Sequence, residues 1–193
     1  MSIHLIVGLG NFLEQYLNTK HNVGFMVIDR LCKALSINLN NDKFNGRFVR
    51  IAVDNEDYII AKPYTYMNLS GNFVQAIVHF YKINLEHIWV IADDADSNIG
   101  TMRIRTSGAS GGQNGLKDII QKLSSDNFNR IKIGIGRPHN KNKNLADYVL
   151  EPFVNEDKRK IDKVIDKAVE VLIDLMNGKS VTALMNNYNI TVK

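Results

Sequence analysis

Ile3-His4-Leu5-Ile6-Val7-Gly8-Leu9-Gly10-Asn11 is an apolar, β-branched run closed by a glycine-rich turn, and it reads as a buried strand feeding a loop. Working outward, His21 to Leu35 places Phe25, Ile28, Leu31, Cys32 and Leu35 at helical spacing, so Cys32 belongs to a core face. Arg47–Val53 and Tyr58–Lys62 form a hairpin pattern around Asp54-Asn55-Glu56-Asp57. Ser70 suits the N-cap of a helix with Phe73, Ile77, Phe80 and Tyr81 on one face. Ile88 to Ala92 is a second buried strand, ending in the acidic cluster Asp93-Asp94-Ala95-Asp96.

Thr101 to Arg105 alternates, with Met102 and Ile104 inward and Arg103 and Arg105 sharing the outward face. Glycine-rich Ser107–Gly112 precedes a helix marked by Leu116, Ile119, Ile120 and Leu123, and Ile131–Gly136 reads as a further strand. The polar, basic stretch His139–Asn144 is expected to be a mobile flap. A long helix over about Glu156–Asn177 stops at Gly178, and a short one near Ser180–Tyr188 follows. Strands and helices alternate with one hairpin interrupting, which predicts a single three-layer α/β/α domain over residues 1–193 with a mixed, mostly parallel, twisted sheet. In such sheets ligands bind beyond the carboxyl ends of strands, here the loops after Val7, Ala92 and Arg105.

Of 193 residues 45% are apolar and 23% charged, which excludes disordered, collagenous and low-complexity classes. The longest apolar run, Leu5–Leu13, is broken by Gly8, Gly10 and Asn11 and falls short of the roughly 20 residues of a membrane span. With no signal-peptide pattern at the start, the expected location is the cytoplasm. Cys32 is the sole cysteine, so neither an intramolecular disulfide nor a multi-cysteine zinc site can form. Charge is uneven: residues 1–96 hold 8 Lys/Arg against 10 Asp/Glu, residues 97–193 hold 16 against 10, and the excess concentrates in 101–143. That concentration is a candidate footprint for a polyanion.

Three short stretches offer chemistry. Gly8-Leu9-Gly10-Asn11 admits a dinucleotide-binding reading with Asp29 as ribose ligand, yet Leu13 occupies the third glycine position and Asp29 falls inside a helical pattern. A tight turn presenting Asn11 fits better. His21, in Thr19-Lys20-His21-Asn22, stands at the expected start of a helix, whose positive end favours the neutral imidazole and hence a usable base. Asp93, ending a buried strand, could orient and charge-stabilise a histidine from a neighbouring loop, or merely cap a turn. The chain has no phosphate-loop motif or His-Glu-x-x-His pair, and a reaction is expected to use water activated by histidine, with no metal, no cofactor and no covalent intermediate. Asn11, Asn68 and Asn114, each in a loop beside glycine or a cap residue, could supply amides for substrate and oxyanion.

Together these stretches resemble the bacterial peptidyl-tRNA hydrolase family. The likeness rests on Leu5-Ile6-Val7-Gly8-Leu9-Gly10-Asn11, Tyr16 and Thr19-Lys20-His21-Asn22-x-Gly24, on Lys62-Pro63-x-Thr65-Tyr66-Met67-Asn68-Leu69-Ser70-Gly71, and on Gly111-Gly112-Gln113-Asn114-Gly115-Leu116-Lys117-Asp118. Ile133-Gly134-Ile135-Gly136-Arg137-Pro138 and Val149-Leu150-x-x-Phe153 continue it in order. The resemblance implies a monomeric, metal-free hydrolase that cleaves the ester joining a peptide to the terminal ribose of tRNA and so recycles peptidyl-tRNA. It implies His21 as general base, Asp93 as its charge partner and Asn11 as the residue ordering base and substrate end. Asn68 and Asn114 would hold the peptide and transition state, with Tyr16, Tyr66 and Met67 lining the substrate cleft; Arg103, Arg105 and Lys132 would meet tRNA phosphates.

The chain departs from the family pattern at Phe12-Leu13 (usually Pro-Gly), Gln113 (usually His), Asp94-Ala95 (usually Glu-Leu), Ser97-Asn98 (usually an apolar residue and Pro) and Lys132 (usually Arg). Two other classes compete with the hydrolase: a tRNA-binding module without catalysis, and a nucleotide-cofactor enzyme using Gly10-Asn11.

Overall fold

The computed structural model describes residues 2–138, 140 and 142–192. Strand β1 (Ile3–Gly8) is central: it pairs in parallel with β4 (Glu56–Pro63) on one side and β5 (Ile88–Asp94) on the other, Ile6 lying opposite Ile60 and Trp89. Adding β2 (Asn41–Lys43), β3 (Gly46–Val53), β6 (Thr101–Arg105), β7 (Asn129–Gly134) and β8 (Ile190–Thr191) gives an eight-stranded sheet in the order β2-β3-β4-β1-β5-β7-β6-β8. The four central strands are mutually parallel. Both flanks are antiparallel, so the sheet is mixed as expected, with more antiparallel pairing than the single hairpin implied. The hairpin turn itself narrows to Asp54-Asn55, because Glu56 already pairs with Val53 and Asp54 adopts φ 53°.

Period-two alternation splits the core into two layers. Leu5 and Val7 of β1 and Val90 and Ala92 of β5 face helices α2 (Ser70–Tyr81) and α3 (Asn114–Leu123). Ile6, Trp89 and Ile91 face the opposite layer, built from α1 (Val23–Leu35) and α5 (Asn155–Met176), with α6 (Val181–Tyr188) packed on α5 and β6. Short α4 (Leu145–Val149) lies among the loops beyond β7. Of the expected flap, His139 and Lys141 lie outside the described residues; Asn144 caps α4, its Oδ1 accepting the Ala146 N–H at 3.0 Å.

Several local expectations are corrected. Ser70 is the first residue of α2 and not its N-cap, since its hydroxyl donates backward to the Met67 carbonyl at 2.7 Å. The α2 terminus is instead satisfied from α3, whose Asp118 Oδ2 accepts the Gly71 N–H at 2.7 Å. Phe80 does not share the buried face of Phe73 and Ile77; it is 55% exposed and packs on Phe44 under the Lys43 ammonium. Cys32 is buried as expected, and burial, followed by the nearby Asp29 charge, pushes its thiol up to about 11. Asp29 lies within α1 and is paired with Lys62, away from any ribose-binding position.

The glycines of the first turn are used for packing. A Cβ on Gly8 would enter the Gly24 carbonyl, and one on Gly10 would fall 2.6 Å from the Phe25 ring. A Cβ on Gly24 would sit 2.5 Å from the Ile91 carbonyl and from Leu9 N and O. The turn after β1, the start of α1 and the end of β5 therefore meet backbone to backbone, joined by Leu9 N–H to Ile91 O (2.9 Å) and Phe25 N–H to Leu9 O (3.2 Å). A dinucleotide cradle needs that glycine surface free, and here α1 occupies it. Because backbone atoms cannot swing aside, Gly24→Ala is expected to cost about 1–3 kcal/mol or more. A lowered urea midpoint followed by circular dichroism is the expected result; an unchanged midpoint would show that the contact tolerates a methyl group.

Candidate active site

Asp93 lies at the carboxyl end of β5 and is 3% exposed, between β1 and β7 in the sheet. Its Oδ2 accepts from His21 Nδ1 at 2.9 Å, a contact across 72 residues of chain. An ionised carboxylate only accepts, so Nδ1 carries the ring proton and Nε2 is left with its lone pair. His21 does not stand in the first turn of α1. It occupies a separate 3₁₀ turn, Lys20–Asn22, that leads into the helix.

The expectation of a histidine kept neutral by a helix terminus reverses in direction. Burial pushes the imidazolium down, but Asp93, through its charge and its hydrogen bond, outweighs burial and leaves the ring above the ordinary histidine value. The partner that decides this is distant in sequence and adjacent only in the folded sheet.

Two neighbours of His21, present in the quoted motif but without an assigned role, hold this turn. Asn22 is fully buried; its Oδ1 accepts the Asn11 N–H at 2.7 Å and its Nδ2 donates to the Asn11 carbonyl at 2.9 Å. This two-pronged clamp fixes Asn11 beside the histidine turn even though Phe12-Leu13 follows it, and Asn11 Oδ1 closes a local turn on the Leu13 N–H at 3.3 Å. Lys20, 5% exposed, donates through Nζ to the Pro152 carbonyl at 3.1 Å and lies 4.3 Å from the Tyr148 ring centre, tying the turn to α4 and to the segment after it. Burial lowers its ammonium pKa, with Glu151 opposing. In sequence Lys20 is only a lysine beside a histidine, and its burial is unannounced because its partner Pro152 lies more than a hundred residues away.

The histidine and Asp93 open on a cavity of about 200 Å³ lined also by Gln113, Asn114, Arg137 and, on its apolar wall, Val149. Asn114 is the exposed first residue of α3. Arg137 is held by Asp96, its Nη2 donating to Oδ1 at 2.6 Å. Met67 lies beneath, buried, with its sulfur 3.2 Å from Gln113 Nε2.

The other expected residues stand outside this cavity lining. Asn68 is exposed in the 3₁₀ turn Met67–Leu69, and Tyr66 packs edge-on against Phe12. Tyr16 lies half-buried in the turn Glu14–Tyr16, where its carbonyl accepts from Thr19 N and Oγ1.

The basic residues lie on β6 and β7, where Arg103 stands opposite Lys132 and Arg105 opposite Arg130. Like charges facing across a ladder repel unless each has other partners. Arg130 is buried and donates to the carbonyls of Gly108 and Asp126. Lys132 is 3.3 Å from Asp94 Oδ2, and Arg103 Nη1 donates to the Ile190 carbonyl at 2.9 Å, pinning β8. Arg105 is exposed, its Nη1 donating only to the adjacent Ile104 carbonyl at 2.9 Å among its hydrogen bonds between described residues.

Known proteins match this chain along its length. The sequence profile of the family described as Peptidyl-tRNA hydrolase covers residues 5–193. A Malacoplasma penetrans protein named peptidyl-tRNA hydrolase is 46% identical over 190 residues, 98% of this chain and 100% of its own length. One from Lactobacillus acidophilus is 43% identical over 96% of this chain and 99% of its own. The crystal structure of peptidyl-tRNA hydrolase from Acinetobacter baumannii superposes with a TM-score of 0.90 at 38% identity, covering 98% of this chain and 95% of that one. With an α/β fold shared to this degree and a match spanning nearly every residue, the chain belongs to the peptidyl-tRNA hydrolase family.

Proposed function

We propose that this protein hydrolyses the ester between the peptide and the terminal ribose of peptidyl-tRNA, using a water deprotonated by His21 Nε2, and that it does so as a cytoplasmic monomer without metal or cofactor. The observation that carries the reading is the 2.9 Å contact between His21 Nδ1 and Asp93 Oδ2, made at the wall of the cavity. Water oxygen bonds to the ester carbonyl carbon as its proton passes to Nε2. The resulting imidazolium is stabilised by Asp93, and collapse of the tetrahedral intermediate returns that proton to the departing ribose oxygen. Asn11 orders the base and substrate end, while Asn114 and Asn68 donate amides to the peptide and the developing oxyanion. Tyr16, Tyr66 and Met67 shape the approach of the peptide. No covalent enzyme intermediate is needed, because an ester is far easier to cleave than an amide. The buried carboxylate aligned on a histidine argues against a tRNA-binding module without chemistry.

Arg103, Arg105 and Lys132 are the proposed phosphate contacts. Arg105 is the most available, since Arg103 also holds β8 and Lys132 is already paired with Asp94. Contacts to phosphates carry no sequence information, as suits an enzyme serving many tRNAs.

In hydrolysis of N-acetyl-aminoacyl-tRNA, release is expected from the blocked substrate and not from the free-amine aminoacyl-tRNA, and EDTA leaves the rate unchanged. Restoration of an EDTA-inhibited rate by a divalent metal would overturn the metal-free reading. His21→Ala is expected to lower turnover by about 10²-fold or more with tRNA binding retained; a near-normal rate removes His21 as base. Because the base must be unprotonated, kcat/KM should fall as pH drops through a midpoint above 6.5, the ordinary value of the group. The stability contribution runs the other way: it is fully present below 6.5 and is lost as pH rises through the folded-state value. Asp93→Asn, which leaves burial and removes the charge, should move the acid limb downward in pH. Arg105→Ala should raise KM and reduce the slope of log affinity against log salt by about 1; an unaltered slope places the phosphate contact elsewhere.

A further inference from the structure

Gln113 occupies the N-cap of α3, is 8% exposed, and spends both ends of its amide. Its Oε1 accepts the Leu116 N–H at 2.7 Å, and its Nε2 donates to Asp93 Oδ1 at 2.9 Å. The orientation is determined by chemistry: a backbone N–H requires the amide oxygen, which leaves the amide nitrogen to face the two acceptors present, Asp93 and the Met67 sulfur. Asp93 is thereby gripped at both oxygens, Oδ2 by His21 and Oδ1 by Gln113. The next residue, Asn114, begins the same helix, and α3 is in turn bound to α2 through Asp118.

We infer that Gln113 is a positioning residue for the reaction: it holds the Asp93 carboxylate in the plane that aligns His21 and locks that pair to the helix presenting Asn114. This rests on the proposed role of His21 and Asp93. A carboxylate held by one oxygen only can rotate about χ2, a broad torsion, and so lose the histidine. Gln113 prevents this with a donor that carries no charge at any pH. The charged groups around the pair are then Arg137, neutralised by Asp96, and, one residue further along β5, Asp94 with Lys132.

Two variants separate this role from helix capping. Gln113→Ser keeps an N-cap hydroxyl for α3 but is too short to reach Asp93, whereas Gln113→His can present one ring nitrogen to Leu116 and a ring N–H to Asp93. In Gln113→Ser, kcat for N-acetyl-aminoacyl-tRNA is expected to fall about 10-fold or more with KM within twofold and the unfolding midpoint near wild type. Gln113→His should restore most of the rate. Independently of activity, the NMR titration of His21 should fall toward 6.5 in Gln113→Ser, because the carboxylate that raises it is no longer aligned. A wild-type kcat together with an unchanged or raised His21 midpoint in the serine variant overturns the inference. Absence of hydrolysis by the wild-type protein would instead defeat the hydrolase reading, and the His21 titration would still decide whether Gln113 positions Asp93.

Discussion

The close approach of main chain at Gly8 and Gly24 is the constraint on which the site depends. It brings the turn after β1, the entry to α1 and the end of β5 into direct contact, with Leu9 bonded both to Ile91 and to Phe25. Side chains of ordinary size at those glycines would separate the three segments. Asn11, His21 and Asp93 each lie within three residues of this junction, so backbone packing sets the frame that the Asn22 clamp and the His21–Asp93 hydrogen bond complete. A site built on such a junction varies little in geometry, which general acid–base chemistry requires.

Electrostatically, the site solves the problem of burying a carboxylate. Asp93 is removed from water and repaid at both oxygens, by an imidazole N–H and by an uncharged amide. Around it, other charges are quenched in pairs: Asp94 with Lys132, Asp96 with Arg137, and Glu151 with Lys20 and Lys143. The field at His21 is then dominated by one carboxylate. The same pairing explains why the basic stretch of sequence presents fewer free cations than its composition suggests, with Arg130 and Arg103 spent on carbonyls.

Much of the fold was legible because its signals are local. Apolar β-branched runs marked β1, β5 and β7, and helical spacing marked α1, α3 and α5 within a few residues. Helix ends were less legible: Ser36, Lys82 and Ser124 adopt positive φ where glycine is the usual signal, so α1, α2 and α3 stop without one. Phe80 misled because helical spacing places it near the apolar stripe, while the hairpin edge that it meets, at Lys43 and Phe44, covers it incompletely. Of the candidate residues, His21, Asp93 and Asn114 converge on one cavity; Asn22, Lys20 and Gln113 do the holding, and nothing in their own neighbourhood of sequence announces a partner.

Periodicity, turn chemistry and motif order determined, from sequence alone, an α/β chain of this family with a histidine and an aspartate available for chemistry. Tertiary structure alone decided the strand order that sets Asp93 against His21, the reversal of the histidine's expected titration, and the two-ended use of Gln113. The physical reason is range. Propensity and hydrophobic spacing act over one or two turns of chain, whereas the hydrogen bonds that set a side chain's charge and direction join residues brought together only when the parallel strands are laid side by side.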